Sequence, residues 1–397
     1  MTAAQPEKAS GEAVLCESGD GMQLRFDALP LWQGVQMAAG IREVLPLWLG
    51  WDPAGFIRQV TPDAVRDRVV GAYATEDYQF ITKPPGDSAW ADRLGQEKIA
   101  ALEQHIGPLG GLRIMEIGAG SLFVAERLLK RHDIASYIVV DPALGAKSAD
   151  PRLVVIKDYF PCDAIQASPC DLVMAFSCLE HAGDAKNFLM ALRRALSPEG
   201  RAFLTLPDVG RQFAEGDLCA LVHEHLTYLD RAGLEALFAA AGLDLLTVES
   251  RHDMFYCVAK PAAVVRCAAP RSDAVLADAA TAFHGTITTV AGRVRSEFAQ
   301  GMTLVFHGAN AGLNNFLYLA GLAGSARVVV FDGDASKVGA YLPACPSVIR
   351  AVADPSYGDA DRVYVAATSF FDEIARGLTG TVGFDRQKIV PLFGAPS

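Results

Sequence analysis

The chain has 397 residues, 51% of them apolar and 20% charged, with a formal net charge of −11. That composition excludes a disordered polymer, the length exceeds what one hydrophobic core supports, so two or three domains are expected, and an acidic chain with no basic block excludes nucleic acid and anionic membrane surfaces as expected partners. No apolar run approaches the roughly 20 residues of a membrane span, Met1–Gly21 has no apolar signal core, and the eight cysteines form no CxxC pair, so a reduced, cytoplasmic protein is expected.

In chain order, residues 1–95 form a first region that holds all four tryptophans, Trp32, Trp48, Trp51 and Trp90, and is punctuated by proline. Val65–Ala72 and Asp92–Ile106 have helical patterning. The aromatic excess fits either a small core or a segment that caps a ligand cleft. Residues 96–260 alternate strands and helices. Strands are expected at Leu112–Ile117, Ser136–Val140, Leu153–Ile156, Asp171–Phe176, Arg201–Leu206, Leu243–Glu249 and Tyr256–Ala259, and helices at Leu122–Arg131, Ala185–Leu196 and Gly233–Ala241. Short apolar strands between helices imply a doubly wound, mostly parallel sheet. Lys260-Pro261 marks a boundary. Residues 261–397 begin with a long helix, Ser272–Gln300. A second α/β set follows, with strands Met302–Phe306, Arg327–Phe331, Arg362–Ala366 and Lys388–Leu392 and helices Leu313–Leu319 and Phe370–Leu378. The expected fold class is α/β: a Rossmann-like domain, a second, smaller Rossmann-like domain and an N-terminal capping segment.

The run Glu116-Ile117-Gly118-Ala119-Gly120 lies between a strand and a helix, and Asp141 ends the next strand 21 residues after Gly120. Glycine lets backbone approach a ligand closely, and a carboxylate at that strand end can accept both ribose hydroxyls. This much suits NAD equally well. Three details point to S-adenosylmethionine (SAM) instead. Phe123 stands where the third dinucleotide glycine would be. Glu116 ends the strand, where an acid orders the loop and the amino-acid end of the cofactor. The run Asp171-Leu172-Val173-Met174-Ala175-Phe176-Ser177-Cys178-Leu179-Glu180-His181, followed by Leu196-Ser197-Pro198-Glu199-Gly200, matches the later motifs of class I methyltransferases in order and spacing. Asp158 is a candidate for the adenine amine, or a solvated loop acid. Ser177 faces the methionine end, or caps a helix. His181 reads as structural.

Leu221-Val222-His223-Glu224-His225-Leu226-Thr227-Tyr228-Leu229 follows the fifth strand, where the methyl acceptor sits in such a fold. Two imidazoles and a carboxylate can make a base and its orienter. On extended chain His223 and His225 would share one side and Glu224 the other. A metal centre would need a third ligand, which no sequence neighbour offers, so none is expected. Packing of the loop by the histidines is the bland alternative.

At these residues the chain resembles the nucleotide-sugar C-methyltransferases. The His223–Leu229 run looks like that family's His-Glu-His segment. His307-Gly308-Ala309-Asn310-Ala311-Gly312-Leu313-Asn314-Asn315 is similar to its glycine-rich loop. Asp332-Gly333-Asp334-Ala335-Ser336-Lys337-Val338-Gly339-Ala340-Tyr341-Leu342-Pro343 and Phe370-Phe371-Asp372-Glu373-Ile374 resemble two further blocks. The likeness covers roughly residues 70 to 395. It implies methylation of the carbon beside a ketone on a nucleotide-linked deoxysugar: His225 removes the proton, and the enolate carbon attacks the sulfonium methyl. The chain departs from the family in three places. Its N-terminus holds only Cys16, so the zinc module is not evident. Val222 replaces an aromatic hydroxyl, unless Tyr228, Tyr73 or Tyr78 takes its place. The C-terminal loop lacks a lysine, with Ala311 and Leu313 flanking Gly312. Tyr73 and Tyr78 would fold over the cleft, or be core aromatics. Asn310 and Lys337 could reach a phosphate or base, although Lys337 also reads as a solvated lysine. The sequence thus points to a SAM-dependent methyltransferase of a small polar acceptor. O- or N-methylation and a non-catalytic binding protein with a relic fold are the rivals.

Overall fold

The computed structural model describes residues 13–18, 21–71, 85, 88–145, 148–163, 169–265 and 273–394. Three sheets organise them. The first is antiparallel: β1 (Val14–Ser18), β2 (Gly21–Pro30), β3 (Val44–Trp51) and β4 (Ile57–Gln59) form a meander. Alternation explains it, since Leu24 and Phe26 on β2 and Leu47 and Leu49 on β3 all turn into the core. Helix α1 (Asp63–Gly71) follows. The tryptophans do not gather round one cleft. Trp32 is a core residue, the Arg25 guanidinium lies 4.2 Å over the Trp48 ring, and Trp90 meets Phe370 edge-on at 5.0 Å.

Helix α2 (Ala89–Ile106), capped by the Ser88 hydroxyl, leads into the second sheet. Its elements are β5 (Arg113–Ile117), α3 (Phe123–Arg131), β6 (Ser136–Val140), β7 (Leu153–Ile156), β8 (Cys170–Phe176), α4 (Ala185–Ala195), β9 (Leu196–Pro207), α5 (Gly210–Glu215), β10 (Thr227–Tyr228), α6 (Arg231–Ala240), β11 (Leu243–Arg251) and β12 (Met254–Pro261). Seven of these strands run in the order β7-β6-β5-β8-β9-β12-β11. Only β12 is reversed, pairing antiparallel with both β9 and β11. A dinucleotide-binding sheet continues 4-5-6 beyond its first strand. Here a reversed strand sits between the fifth and the sixth, a different winding. The chain order reverses between β5 and β8, so a ligand belongs at the carboxyl ends of β5, β6 and β8.

Helices α7 (Ala274–Gly285) and α8 (Ala291–Ala299) are joined by a wide π-type turn at Thr286–Val290, so the expected long helix is continuous but bulged. The third sheet comprises β13 (Leu304–His307), β14 (Val329–Asp332), β15 (Arg350–Ala351), β16 (Arg362–Val365) and β17 (Ile389–Pro391), with α9 (Ala311–Leu319) and α10 (Phe371–Gly377) between them. It is all parallel, in the order β15-β14-β13-β16-β17. Two features bind the three layers together. Strand β10 leaves the middle region and pairs antiparallel with β4, Thr227 opposite Arg58 and Tyr228 opposite Ile57. One apolar cluster also joins Phe26 and Leu47 of the first sheet to Phe213, Phe283 and Phe316, with Phe26 edge-on to Phe283 at 5.8 Å. Among the described residues, no helix is long and apolar enough to cross a membrane.

Candidate active site

The turn after β5 sits at the predicted switch point. Gly118 and Gly120 have φ of 67° and 64°, a region costly for side chains. A Cβ on Gly118 would also lie 2.5 Å from the Cys178 Sγ. Asp141 closes the turn: its Oδ2 accepts from the Gly120 amide at 2.8 Å, and its Oδ1 accepts from Ala143 and Leu144 at 2.8 and 3.0 Å. A carboxylate has about four lone-pair sites, so acceptor capacity remains for ribose hydroxyls. Glu116 is buried and accepts a 2.6 Å hydrogen bond from the Tyr137 hydroxyl. Burial pushes its pKa up to about 7, against the Tyr137 bond. These groups form a cradle that fits an adenosyl group with a charged amino-acid end. Asp158 is exposed and accepts from the Tyr159 amide.

Ser177 ends β8 with φ of 51°, an uncommon backbone for serine. Its hydroxyl accepts from the Lys98 Nζ at 3.3 Å. Glu180 and His181 follow on a short 3-10 turn. There the structure supplies the third group that the sequence neighbours of His225 do not. Glu180, His181 and His225 each offer one ligand atom, all within 4.8 Å of one another, so among the described residues they form a set that could hold a metal ion. The His181 Nδ1 lies 2.8 Å from the Glu224 carbonyl. A carbonyl only accepts, so Nδ1 carries the proton and the neutral ring presents Nε2 as an acceptor. Burial lowers the pKa of His181 to about 4, and burial with the neighbouring His181 lowers that of His225 to about 3. Both rings are therefore uncharged at neutral pH. Burial raises Glu180 to about 7.

Residues 88–248 match the family described as a methyltransferase domain. Residues 88–248 are a methyltransferase domain. Its cofactor is SAM, as the cradle around Gly118 and Asp141 fits. Among known proteins, the chain is 27% identical over 158 residues to the ubiquinone biosynthesis O-methyltransferase of Xylella fastidiosa (strain 9a5c), covering 35% of this chain and 63% of that one. A second ubiquinone biosynthesis O-methyltransferase, from Azorhizobium caulinodans, is 28% identical over 160 residues, with 36% and 62% covered. The match thus spans under two thirds of these relatives' own length. Among solved structures, the chain is similar to the Burkholderia thailandensis 1,6-didemethyltoxoflavin-N1-methyltransferase with bound 1,6-didemethyltoxoflavin and S-adenosylhomocysteine (TM-score 0.36, 14% identity, 54% of this chain and 99% of that one). It is also similar to an SAH-bound methyltransferase of calicheamicin biosynthesis (TM-score 0.34, 22% identity, 50% and 68%).

The methyltransferase domain holds its His-Glu-His segment differently from the extended run expected. The His225 amide bonds to the Val222 carbonyl at 3.1 Å, so residues 222–225 form a turn, and the two imidazoles diverge. His223 is buried, with Nε2 3.2 Å from the Leu45 carbonyl of the first sheet, and burial lowers its pKa to about 4. His225 instead meets the His181 ring edge-on at 5.2 Å. Glu224 is buried too. Tyr228 is fully buried and donates to the Val222 carbonyl at 2.8 Å. It therefore serves the turn itself, and its hydroxyl is not presented to an acceptor. Tyr73 and Tyr78 lie outside the described residues.

The C-terminal candidates also have partners of their own. Asn310 caps α9 through the Leu313 amide and donates to the Ala366 carbonyl. The Lys337 Nζ donates to the Ala309 carbonyl and to the Asp332 carboxylate, both at 3.0 Å, which corrects the solvated-lysine reading. Gly312 faces the methyltransferase domain, where a Cβ would run into the Cys219 Sγ. Lys98, Glu180, Gln59 and Asn315 were not read from sequence. Lys98 had a signal: it lies three residues after Gly95 and four before Leu102, both on the buried face of α2. Glu180 stood inside a quoted motif without a role. Gln59 and Asn315 act on backbone carbonyls, which leaves no sequence signature.

Proposed function

We propose that the chain is a SAM-dependent methyltransferase of a small polar acceptor, and that it methylates the carbon beside a ketone on a nucleotide-linked sugar. One observation carries this reading: His225, uncharged, is held against the Glu180–His181 turn, which follows directly on Cys178 beside Gly118 of the cofactor loop. When bound, the cofactor supplies a methyl group on a sulfonium that is its own leaving group. Gly118, Gly120, Asp141, Glu116 and Ser177 are the residues that would hold it. His225 accepts the proton from the acceptor carbon, and a base so placed contributes roughly 100- to 10,000-fold. The His181 Nε2 and the Glu180 carboxyl stand within reach to take up or share that proton. Holding acceptor and donor in line adds up to about 7–11 kcal/mol. The three-layered arrangement supports an acceptor bounded by the N-terminal sheet and the C-terminal domain, with working boundaries at residues 95/96 and 260/261. Among the described residues no cysteine pair is joined by a disulfide, which supports a reducing, cytoplasmic location.

O-methylation is the second reading, favoured by the likeness to two ubiquinone biosynthesis O-methyltransferases, since the same base could deprotonate a hydroxyl. The test is mass spectrometry of products from labelled SAM with a panel of nucleotide-linked keto sugars and hydroxylated metabolites. A new carbon–carbon bond supports the first reading and a methyl ether the second. His225→Ala is expected to keep S-adenosylhomocysteine affinity while turnover falls at least about 100-fold. Unchanged turnover would remove His225 from the mechanism.

A further inference from the structure

Three donor side chains from two separate loops converge beside the cofactor turn. Glu180 and His181 lie on the turn after β8, and His225 lies in the turn that precedes β10. Their donor atoms fall within 4.8 Å of one another, and the Glu180 Oε1 stands 4.0 Å from the His181 Nε2. Zinc–ligand bonds of about 2.0–2.2 Å bridge that spacing after a small inward movement of the side chains. The backbone keeps the two loops together, since the Leu226 amide donates to the Glu180 carbonyl at 2.7 Å. His181 is already oriented as a ligand. Its Nδ1 donates to the Glu224 carbonyl at 2.8 Å, which leaves the lone pair on Nε2, the nitrogen nearer Glu180. A hydrogen bond of this kind on the far nitrogen is what orients metal-bound imidazoles. Glu180 is buried and both imidazoles are half-buried, so an ion approaches from their side.

Two imidazole nitrogens and one carboxylate oxygen suit borderline ions such as zinc, which take three protein ligands and keep a fourth position open. Magnesium and calcium ask for more oxygen donors than this set supplies. We propose that Glu180, His181 and His225 form a site for a zinc-class divalent cation, and that an ion bound there switches the enzyme off. The chemistry is a competition for one lone pair. A neutral imidazole has a single free one. Bonded to a metal, His225 has nothing left to take a proton from the acceptor, and protonated it cannot hold the metal. The site stands on the geometry alone, whereas the switch rests on His225 being the base.

The first test is metal binding by EDTA-treated wild-type protein, with Co2+ as the probe because its visible absorption reports the ligands around it. About one equivalent of Co2+ is expected to bind and to be displaced by Zn2+. Losing an outer hydrogen bond alone weakens a metal site about 10- to 100-fold, so Glu180→Gln and His181→Ala are each expected to weaken Co2+ binding at least about 10-fold. If His181→Ala does not fold, Glu180→Gln decides. Wild-type protein that takes up no Co2+, or uptake that Glu180→Gln leaves unchanged, would overturn the site. The second test is turnover of the wild type, with whichever acceptor of the product panel is methylated. Zn2+ is expected to abolish it and EDTA to restore it. Turnover that persists at saturating Zn2+ would overturn the switch and remove His225 as the base, while the Co2+ result would still uphold the site.

Discussion

Asp141 acts before any ligand arrives. Its carboxylate gathers the amides of Gly120, Ala143 and Leu144, so removing it loosens the cradle as well as deleting a ribose partner. Asp141→Ala is expected to weaken S-adenosylhomocysteine binding about 10-fold or more by calorimetry, and equal affinity would place the cofactor elsewhere. Sequence reading placed Asp141 at its strand end by its spacing of 21 residues from Gly120, and Glu116 by its place before the glycine turn. The loop amides that Asp141 holds and the Tyr137 bond of Glu116 carry no such signature. The meeting of His225 with His181 and Glu180 was not legible, because nothing local to either run specifies that the two loops meet. His223 shows the reverse: adjacent imidazoles suggest one chemical unit, yet a single turn sends one to the Leu45 carbonyl and the other to His181.

The segment from Asp217 to Tyr228 is the element on which the site depends, and all three sheets grip it. From the first, Gln59 donates to the carbonyls of His223 and His225 at 3.0 and 3.3 Å, and β4 pairs with β10. From the second, the Leu226 amide donates to the Glu180 carbonyl at 2.7 Å. From the third, the Asn315 amide group donates to the carbonyls of Leu218 and Leu221 at 3.3 and 2.9 Å. Gly312 admits Cys219 against α9. Gly312→Ala is accordingly expected to cost about 1–3 kcal/mol of stability, read from denaturant unfolding. Asn315→Leu is expected to speed amide exchange in residues 218–225 while S-adenosylhomocysteine affinity holds within about twofold, and unaltered exchange would show that the third sheet does not hold the segment. The strands of the first sheet escaped sequence reading for a physical reason. A bulge between Phe26 and Leu29 breaks the alternation of β2, and Pro46 lies opposite it, where no ladder bond is lost. A strand of two residues such as β10 is set by its partner, not by its own pattern.

At the scale of the whole molecule, buried titratable groups tie stability to pH. His181, His223, His225 and His307 are held at about 4, 4, 3 and 4, below the ordinary 6.5. Below pH 6.5 the unfolded chain takes up protons that the folded one refuses, so each contributes stability that is lost as pH falls. Glu116 and Glu180, raised to about 7 from 4.5, work the other way and favour the fold as pH falls from 7 towards 4.5. Four groups oppose two, so the thermal midpoint is expected to drop between about pH 6.5 and 4.5. A midpoint that stays level or rises on acidification would mean that these imidazoles are not held neutral. Both α/β layers were legible from alternation, because parallel strands buried on two faces must be apolar throughout. How the layers join was not, because β10 and the shared apolar cluster are products of docking.

The placement of the first sheet bears on how the chain is made. Its inner residues, Phe26 and Leu47, rest on Phe283 and Phe316, and its last strand is Thr227–Tyr228. Strands β1 to β4 therefore leave the ribosome before Phe213, Phe283 and Phe316, and wait with their greasy face uncovered until those residues have been made. Maturation here runs against the order of translation: this sheet settles only after the later residues that cover it.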